Sequence, residues 1–197
     1  MRSEAPPLMP IFRSQHQAAL LACLLMHPDD EYTLTDLARR LSAPLTTVQR
    51  EAGRLVDAGL LRDRSVGRAR LLRANTDHRA AAPLTQLLEL SFGPQVVVGE
   101  EFVIPGAERV LIFGSWAERF HGTVGKAPRD VDVLVLGTPI RADLYEAADR
   151  AQARLGLPVN PVLRSVEQWD KATDPLVVQI KASDSVDVTA DEGEGAR

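Results

Sequence analysis

Residues 110–137 read VLIFGSWAERFHGTVGKAPRDVDVLVLG, and this stretch decides the fold of the C-terminal half. Val110 to Phe113 is a short apolar strand, and Gly114-Ser115 opens a helix directly behind it. A strand, a tight glycine turn and a helix start present backbone N–H groups and the positive end of a dipole to an anion. Sixteen residues after Gly114 the chain reads Asp130-Val131-Asp132-Val133-Leu134-Val135-Leu136. Strand side chains alternate, so Asp130 and Asp132 point to one face and Val131 and Val133 to the other. Two carboxylates about 6–7 Å apart along a strand suit Mg²⁺, which takes a few carboxylates together with phosphate oxygens. A cation held there would clamp a triphosphate for attack by a hydroxyl.

Downstream, Arg141 to Leu155 is an amphipathic helix whose inner stripe is Leu144, Ala147, Ala148, Ala151 and Leu155, ended by Gly156. Pro158 to Leu163 is a third strand, and Ser185 to Val188 a further one carrying Asp187. Gly-Ser on one strand–helix junction with Asp-x-Asp on the next strand resembles the nucleotidyltransferase fold of the DNA polymerase β superfamily, in particular its minimal nucleotidyltransferases. That resemblance implies that Gly114 and Ser115 bind the triphosphate of an NTP, and that Asp130 and Asp132 are the catalytic pair that holds Mg²⁺. In active members the third strand supplies another carboxylate, the base that takes the proton of the incoming hydroxyl. Here that position falls on Asn160, whose amide cannot accept a proton and adds no negative charge. Asp187 is the alternative base, His121 and Lys126 are loop residues able to touch phosphate, and Trp116 is expected in the core.

Toward the N-terminus the pattern becomes helical. Leu20, Leu21, Cys23, Leu24 and Leu25 follow Phe12 at helical spacing, and Pro28-Asp29-Asp30 ends that helix. Thr33-Leu34-Thr35-Asp36 fits a capping box for a second helix reaching Leu41. Pro44 starts a third, which runs to about Ala58 and turns at Gly59. Its inward stripe is expected to be Leu45, Val48, Ala52 and Leu55. The outward face then carries Thr46, Thr47, Gln49, Arg50, Gly53 and Arg54, side chains suited to base edges and phosphates. Leu60 to Arg64 and Arg68 to Leu72 flank Ser65-Val66-Gly67 as a β-hairpin with Arg64, Arg68 and Arg70 on one basic face. The stretch TLTDLARRLSAPLTTVQREAGRLVDAGLL and the hairpin after it resemble the winged helix-turn-helix of the bacterial ArsR and MarR regulators, which implies binding of double-stranded DNA. The whole chain is similar to bacterial proteins in which an ArsR-like winged helix precedes a nucleotidyltransferase-like domain with GSW, a longer loop before Asp-x-Asp and a VNPV strand.

The charge distribution agrees with two modules. The 197 residues carry a net charge of −4, yet residues 1–80 sum to +3 and the remainder to −7, and residues 39–73 alone reach +6. A basic block ahead of an acidic half suits nucleic acid at one end and a different partner at the other. With 45% hydrophobic and 25% charged residues the composition is that of a globular protein, not of a disordered or collagen-like chain. No apolar run approaches the ~18 residues of a membrane span, and the opening MRSEAPPLMP lacks the features of a signal peptide. One cysteine, with His16, His27 and His78 scattered, excludes a thiolate metal sensor and fits a cytoplasmic home.

The expectation is therefore an α+β protein of two domains. Residues 1–80 form a winged helix-turn-helix, 81–109 a helical connector, 110–190 a nucleotidyltransferase-like domain with a small mixed sheet, and 191–197 a flexible acidic tail. The expected function is a homodimeric DNA-binding transcriptional regulator whose C-terminal domain senses a nucleotide or docks a protein partner. The alternative is an active Mg²⁺-dependent nucleotidyltransferase, moving NMP to a protein, RNA or small-molecule hydroxyl, of the kind that serves as an antitoxin.

Overall fold

In the computed structural model the described residues are 12–123 and 128–190. The acidic tail and Lys126 lie outside them. The fold is mixed α+β with a small mixed sheet, and the chain divides into two compact units at Phe92/Gly93.

The first unit begins with α1 (Gln15–Leu25), capped by the Ser14 hydroxyl, which accepts from the Gln17 N–H. A short strand β1 (Tyr32–Thr33) leads into α2 (Leu34–Arg40). Thr33 caps α2 as expected: its Oγ1 accepts from the Asp36 N–H at 3.1 Å, and the hydroxyl in turn donates to the Asp36 carboxylate at 2.7 Å. Ser42, in the left-handed region at φ 47°, turns the chain into α3 (Leu45–Asp57), and Gly59 at φ 75° turns it out again. Strands β2 (Leu61–Val66) and β3 (Ala69–Ala74) pair as an antiparallel hairpin, with β1 on the far side of β3. Last comes α4 (Ala81–Phe92), packed on α1. The core is aliphatic, with Leu20, Leu24, Leu37, Leu72 and Leu88 all within 1% of complete burial.

The second unit opens with α5 (Pro94–Glu101) and β4 (Ala107–Phe113). There follow α6 (Ser115–Phe120), β5 (Val131–Gly137), α7 (Arg141–Leu155) and β6 (Val159–Arg164). The unit ends with α8 (Val166–Lys171), α9 (Pro175–Ala182) and β7 (Val186–Asp187). The sheet order is β6-β5-β4-β7, with β5 parallel to β6 and antiparallel to β4. Its two faces have separate cores. Val110, Ile112, Val131, Val133 and Val135 pack with Phe102 and the inner stripe of α7. Leu111, Leu134 and Leu136 pack with Trp169 of α8 and Ile180 of α9.

The stretch expected to be a connector is divided between the units, because its two helices have different partners. α4 closes the leucine core of the first unit, whereas α5 packs on α7, fastened by Arg150 and Arg154 to Glu101. The boundary consequently falls later than residue 80. A second difference lies in α3. Leu45 is 46% exposed, and Glu51 takes its place in the buried stripe beside Val48, Ala52 and Leu55. Leu45 occupies the first helical position after Pro44, whereas residue 51 continues the i, i+3, i+4, i+7 spacing from Val48.

Candidate functional site

In the second unit the strand–turn–helix of residues 107–120 brings Gly114 against Asp132. Gly114 has φ 73° and ψ −154°, a conformation that is essentially glycine-only. A Cβ there would lie 2.9 Å from Asp132 Oδ2. Phe113 and Asp132 are register partners across β4 and β5, and Asp132 and Asn160 are partners across β5 and β6. The three therefore share one sheet face, the one that carries Leu111, Leu134 and Val162. Asp130 stands just ahead of β5, whereas the alternation argument places it within the strand.

The amide of Asn160 ties the acids together. Its Nδ2 donates to Asp130 Oδ2 at 3.2 Å and to Asp132 Oδ1 at 3.1 Å. The expected convergence of Asp130 and Asp132 is thus met, and the residue set against them is the neutral one that the third-strand alignment picked out. Ser115 is the exposed first residue of α6, which is only six residues long, so the Gly114-Ser115 turn brings backbone N–H groups more than a helix dipole.

Asp187 does not join this group. It partners Leu111 on the outer strand, pairs with Arg109 at 2.8 Å and accepts from the Thr189 N–H and hydroxyl. Burial would raise its pKa, but the hydrogen bonds from Thr189 and Arg109 outweigh that and hold the carboxyl below its ordinary range. A depressed, occupied carboxylate is a poor general base. His121 Nε2 lies 3.2 Å from the Ser185 carbonyl, which sets its ring against the chain leading into β7. Trp116 packs against the valine core, as expected, and stacks on Phe120.

The donor set fits one hard divalent cation. It offers two carboxylates, and Asp132 Oδ2 faces the cradle left by the missing Gly114 side chain. Among the described residues no group of three or more His, Cys, Asp or Glu could hold a metal.

In the first unit α3 exposes Thr46, Gln49 and Arg50, with Thr47, Gly53 and Arg54 half-buried. Arg54 Nη1 donates to Glu51 Oε1 at 2.8 Å, Arg50 Nε lies 3.6 Å from the same oxygen, and Glu51 Oε2 is buried without a partner. On the hairpin Arg62 and Arg73 are cross-strand partners, and Arg64 lies on the same face opposite Leu71. Arg70 partners Ser65 and therefore projects from the other face, where it pairs with Asp63 at 2.7 Å. Arg68 follows Gly67 in the turn. The single basic hairpin face is corrected accordingly: the turn pairs Val66 with Ala69, so even-numbered residues of β2 share a face with odd-numbered residues of β3, and Arg70 falls on the face opposite to Arg62 and Arg64.

Sequence reasoning missed the carboxylates that accompany these arginines. Arg64 is bound by Glu31 through both its oxygens, and Arg62 pairs with Asp77 at 2.7 Å. The Arg54–Glu51 spacing of three is visible in sequence, but Glu31 lies 33 residues from Arg64 and leaves no local signal. No protein-family model and no curated protein matches the chain. No helix among the described residues is long and apolar enough to cross a membrane.

Proposed function

We propose that this chain is a DNA-binding transcriptional regulator. In this reading residues up to Phe92 are a winged helix-turn-helix that binds double-stranded DNA as a homodimer in the cytoplasm. The second unit is a nucleotidyltransferase-like domain that senses a nucleotide with Mg²⁺ or docks a protein partner. The observation that carries the reading is α3, which follows α2 after a short left-handed turn and offers Thr46, Gln49 and Arg50 outward from its first two turns. These are donors and acceptors of the kind that meet base edges in a major groove, and the hairpin after them adds Arg62, Arg64, Arg68 and Arg73 for phosphates.

Asn160 favours sensing over transfer. Bound Mg²⁺ would neutralise phosphate charge, and Asp130, Asp132, Gly114 and Ser115 are the groups that would hold Mg²⁺ and nucleotide. Proton removal from an acceptor hydroxyl needs a base beside them, and the residue in that position is an amide donating to both acids. The convergence of the acids favours the transferase as second reading, tested by transfer of labelled NMP that Asp132→Ala abolishes.

The regulator reading is tested by anisotropy of labelled duplexes, first random and then selected from genomic fragments. Arg50→Ala is expected to weaken selected-site binding by ~1–3 kcal/mol if it makes a base contact. Retention of DNA that responds neither to Arg50→Ala nor to salt refutes it. Titration of ATP, GTP, CTP and UTP with and without Mg²⁺ into wild type and Asp132→Asn tests the second unit.

A further inference from the structure

We propose that the acidic pair admits one divalent cation and not two, because Asn160 closes its β6 side. The inference rests on the reading of the second unit as a nucleotide-binding domain and specifies how that site works. Asn160 has two amide protons, and each is directed to a different acid, at 3.1 and 3.2 Å. Turning the amide over would set Oδ1 against two carboxylate oxygens, three acceptors with no proton between them, so the nitrogen-inward orientation is chemically determined. Asn160 is also neutral, so the group carries two negative charges where a third carboxylate would make three.

The pair is thereby divided. Asp132 Oδ1 and Asp130 Oδ2 are engaged by the amide on the side of β6, while Asp132 Oδ2 faces Gly114, where a side chain would approach to 2.9 Å. A hard cation finds free oxygen on the Gly114 side. A second cation on the β6 side would meet an N–H dipole pointing at the same carboxylates, with no oxygen ligand from β6. Two-metal sites share carboxylates between their ions and carry the charge to hold both. This group lacks both the ligand and the charge for the second ion, which leaves a site that binds a metal–phosphate unit without being equipped for transfer.

The test counts Mn²⁺ bound per full-length chain, by the electron paramagnetic resonance signal of free Mn²⁺. It is run with the α,β-methylene analogue of ATP, GTP, CTP or UTP in turn. One ion per chain is expected for wild type, and two for Asn160→Asp, with dipolar broadening between ions in that variant alone. Two ions in wild type overturn the inference and leave the nucleotide site standing. An Asn160→Asp variant that folds and stays at one ion also overturns it, since the amide is then not what limits the count. No ion with any analogue, in folded wild type, overturns the nucleotide-site reading and the inference with it. The wild-type count decides the matter even where Asn160→Asp does not fold.

Discussion

Replacing Glu31 by glutamine should make DNA binding more sensitive to salt. Arg64 Nε donates to both Glu31 oxygens, at 2.9 and 3.1 Å, and Nη2 donates to one of them. In the free protein this arginine is therefore already neutralised, and a DNA phosphate gains it only by displacing the carboxylate. The hydrogen bond from Arg64 holds the Glu31 carboxyl below the ordinary carboxylate range, so the competition persists at every pH used for binding. Glutamine keeps the shape, removes the charge and leaves Arg64 available to phosphate. Each added phosphate contact steepens the plot of log K against log salt by about 0.9. Between 50 and 200 mM salt, a fourfold change, that amounts to a further loss of about 3.5-fold relative to wild type. Arg64→Ala should flatten the slope by a similar amount if DNA reaches Arg64 in wild type, and leave it unchanged if Glu31 keeps it. The assay is fluorescence anisotropy on one duplex at several KCl concentrations. Glu167→Gln, which frees Lys171 in the second unit, serves as the charge-matched control. A Glu31→Gln slope equal to that of wild type and control, in a folded protein that binds DNA, refutes the competition.

Glycine substitutions should have opposite signs at two positions. Gly114→Ala forces a glycine-only conformation and sets a methyl against Asp132, so a loss of ~1–3 kcal/mol is expected in urea unfolding. Gly53→Ala, inside α3 with nothing within 4 Å of the added Cβ, should stabilise by ~0.5–1 kcal/mol in the same measurement. Leu88→Ala removes a fully buried side chain of α4 and should cost ~2–5 kcal/mol. This loss should appear in the urea transition followed by circular dichroism. Acid should weaken the second unit through Glu101: burial would raise its pKa, but hydrogen bonds from Arg154 and Arg150 hold it below the ordinary value. A depressed folded pKa gives stability that is present above the unfolded carboxyl pKa and lost as pH falls through the folded one. Urea midpoints taken from pH 6 down to pH 3 should therefore drop less in Arg154→Ala than in wild type.

What was legible in the sequence was chiefly backbone. The Thr33 cap, Gly59 and Gly156 each have one physical role, and the structure uses them in it, whereas Pro44 stands one place ahead of the first turn of α3, as its cap residue. The inner stripe of α7 is buried residue for residue. The short elements were not legible: β1 has two residues and exists only through its pairing with β3, and α8 buries no side chain that a periodic pattern could report. Which core each of α4 and α5 joins was hidden for a related reason. Both are apolar on more than one side, so their sequences say that they are covered without saying by what.

Side-chain partnership was the other limit, and it is where function is decided. Glu51 has the composition of a surface residue and the helical phase of a core one; the phase prevails because its neighbour Arg54 follows it inward and supplies a counter-charge. Asn160 is the instructive contrast, since its place opposite Asp132 was recoverable across 28 residues. Each strand there alternates between a valine side and a second side, and Val131 and Val133 on β5 must join Val159 on β6 in the valine core. A shift of β6 by one residue would turn Asn160 toward that core, where an unpaired amide is costly. The hydrophobic pattern thus fixes the register, and the register sets an amide, not a third carboxylate, against the acids. No comparable constraint ties Glu31 to Arg64, because Glu31 stands just ahead of β1, outside any strand whose buried face would set its register.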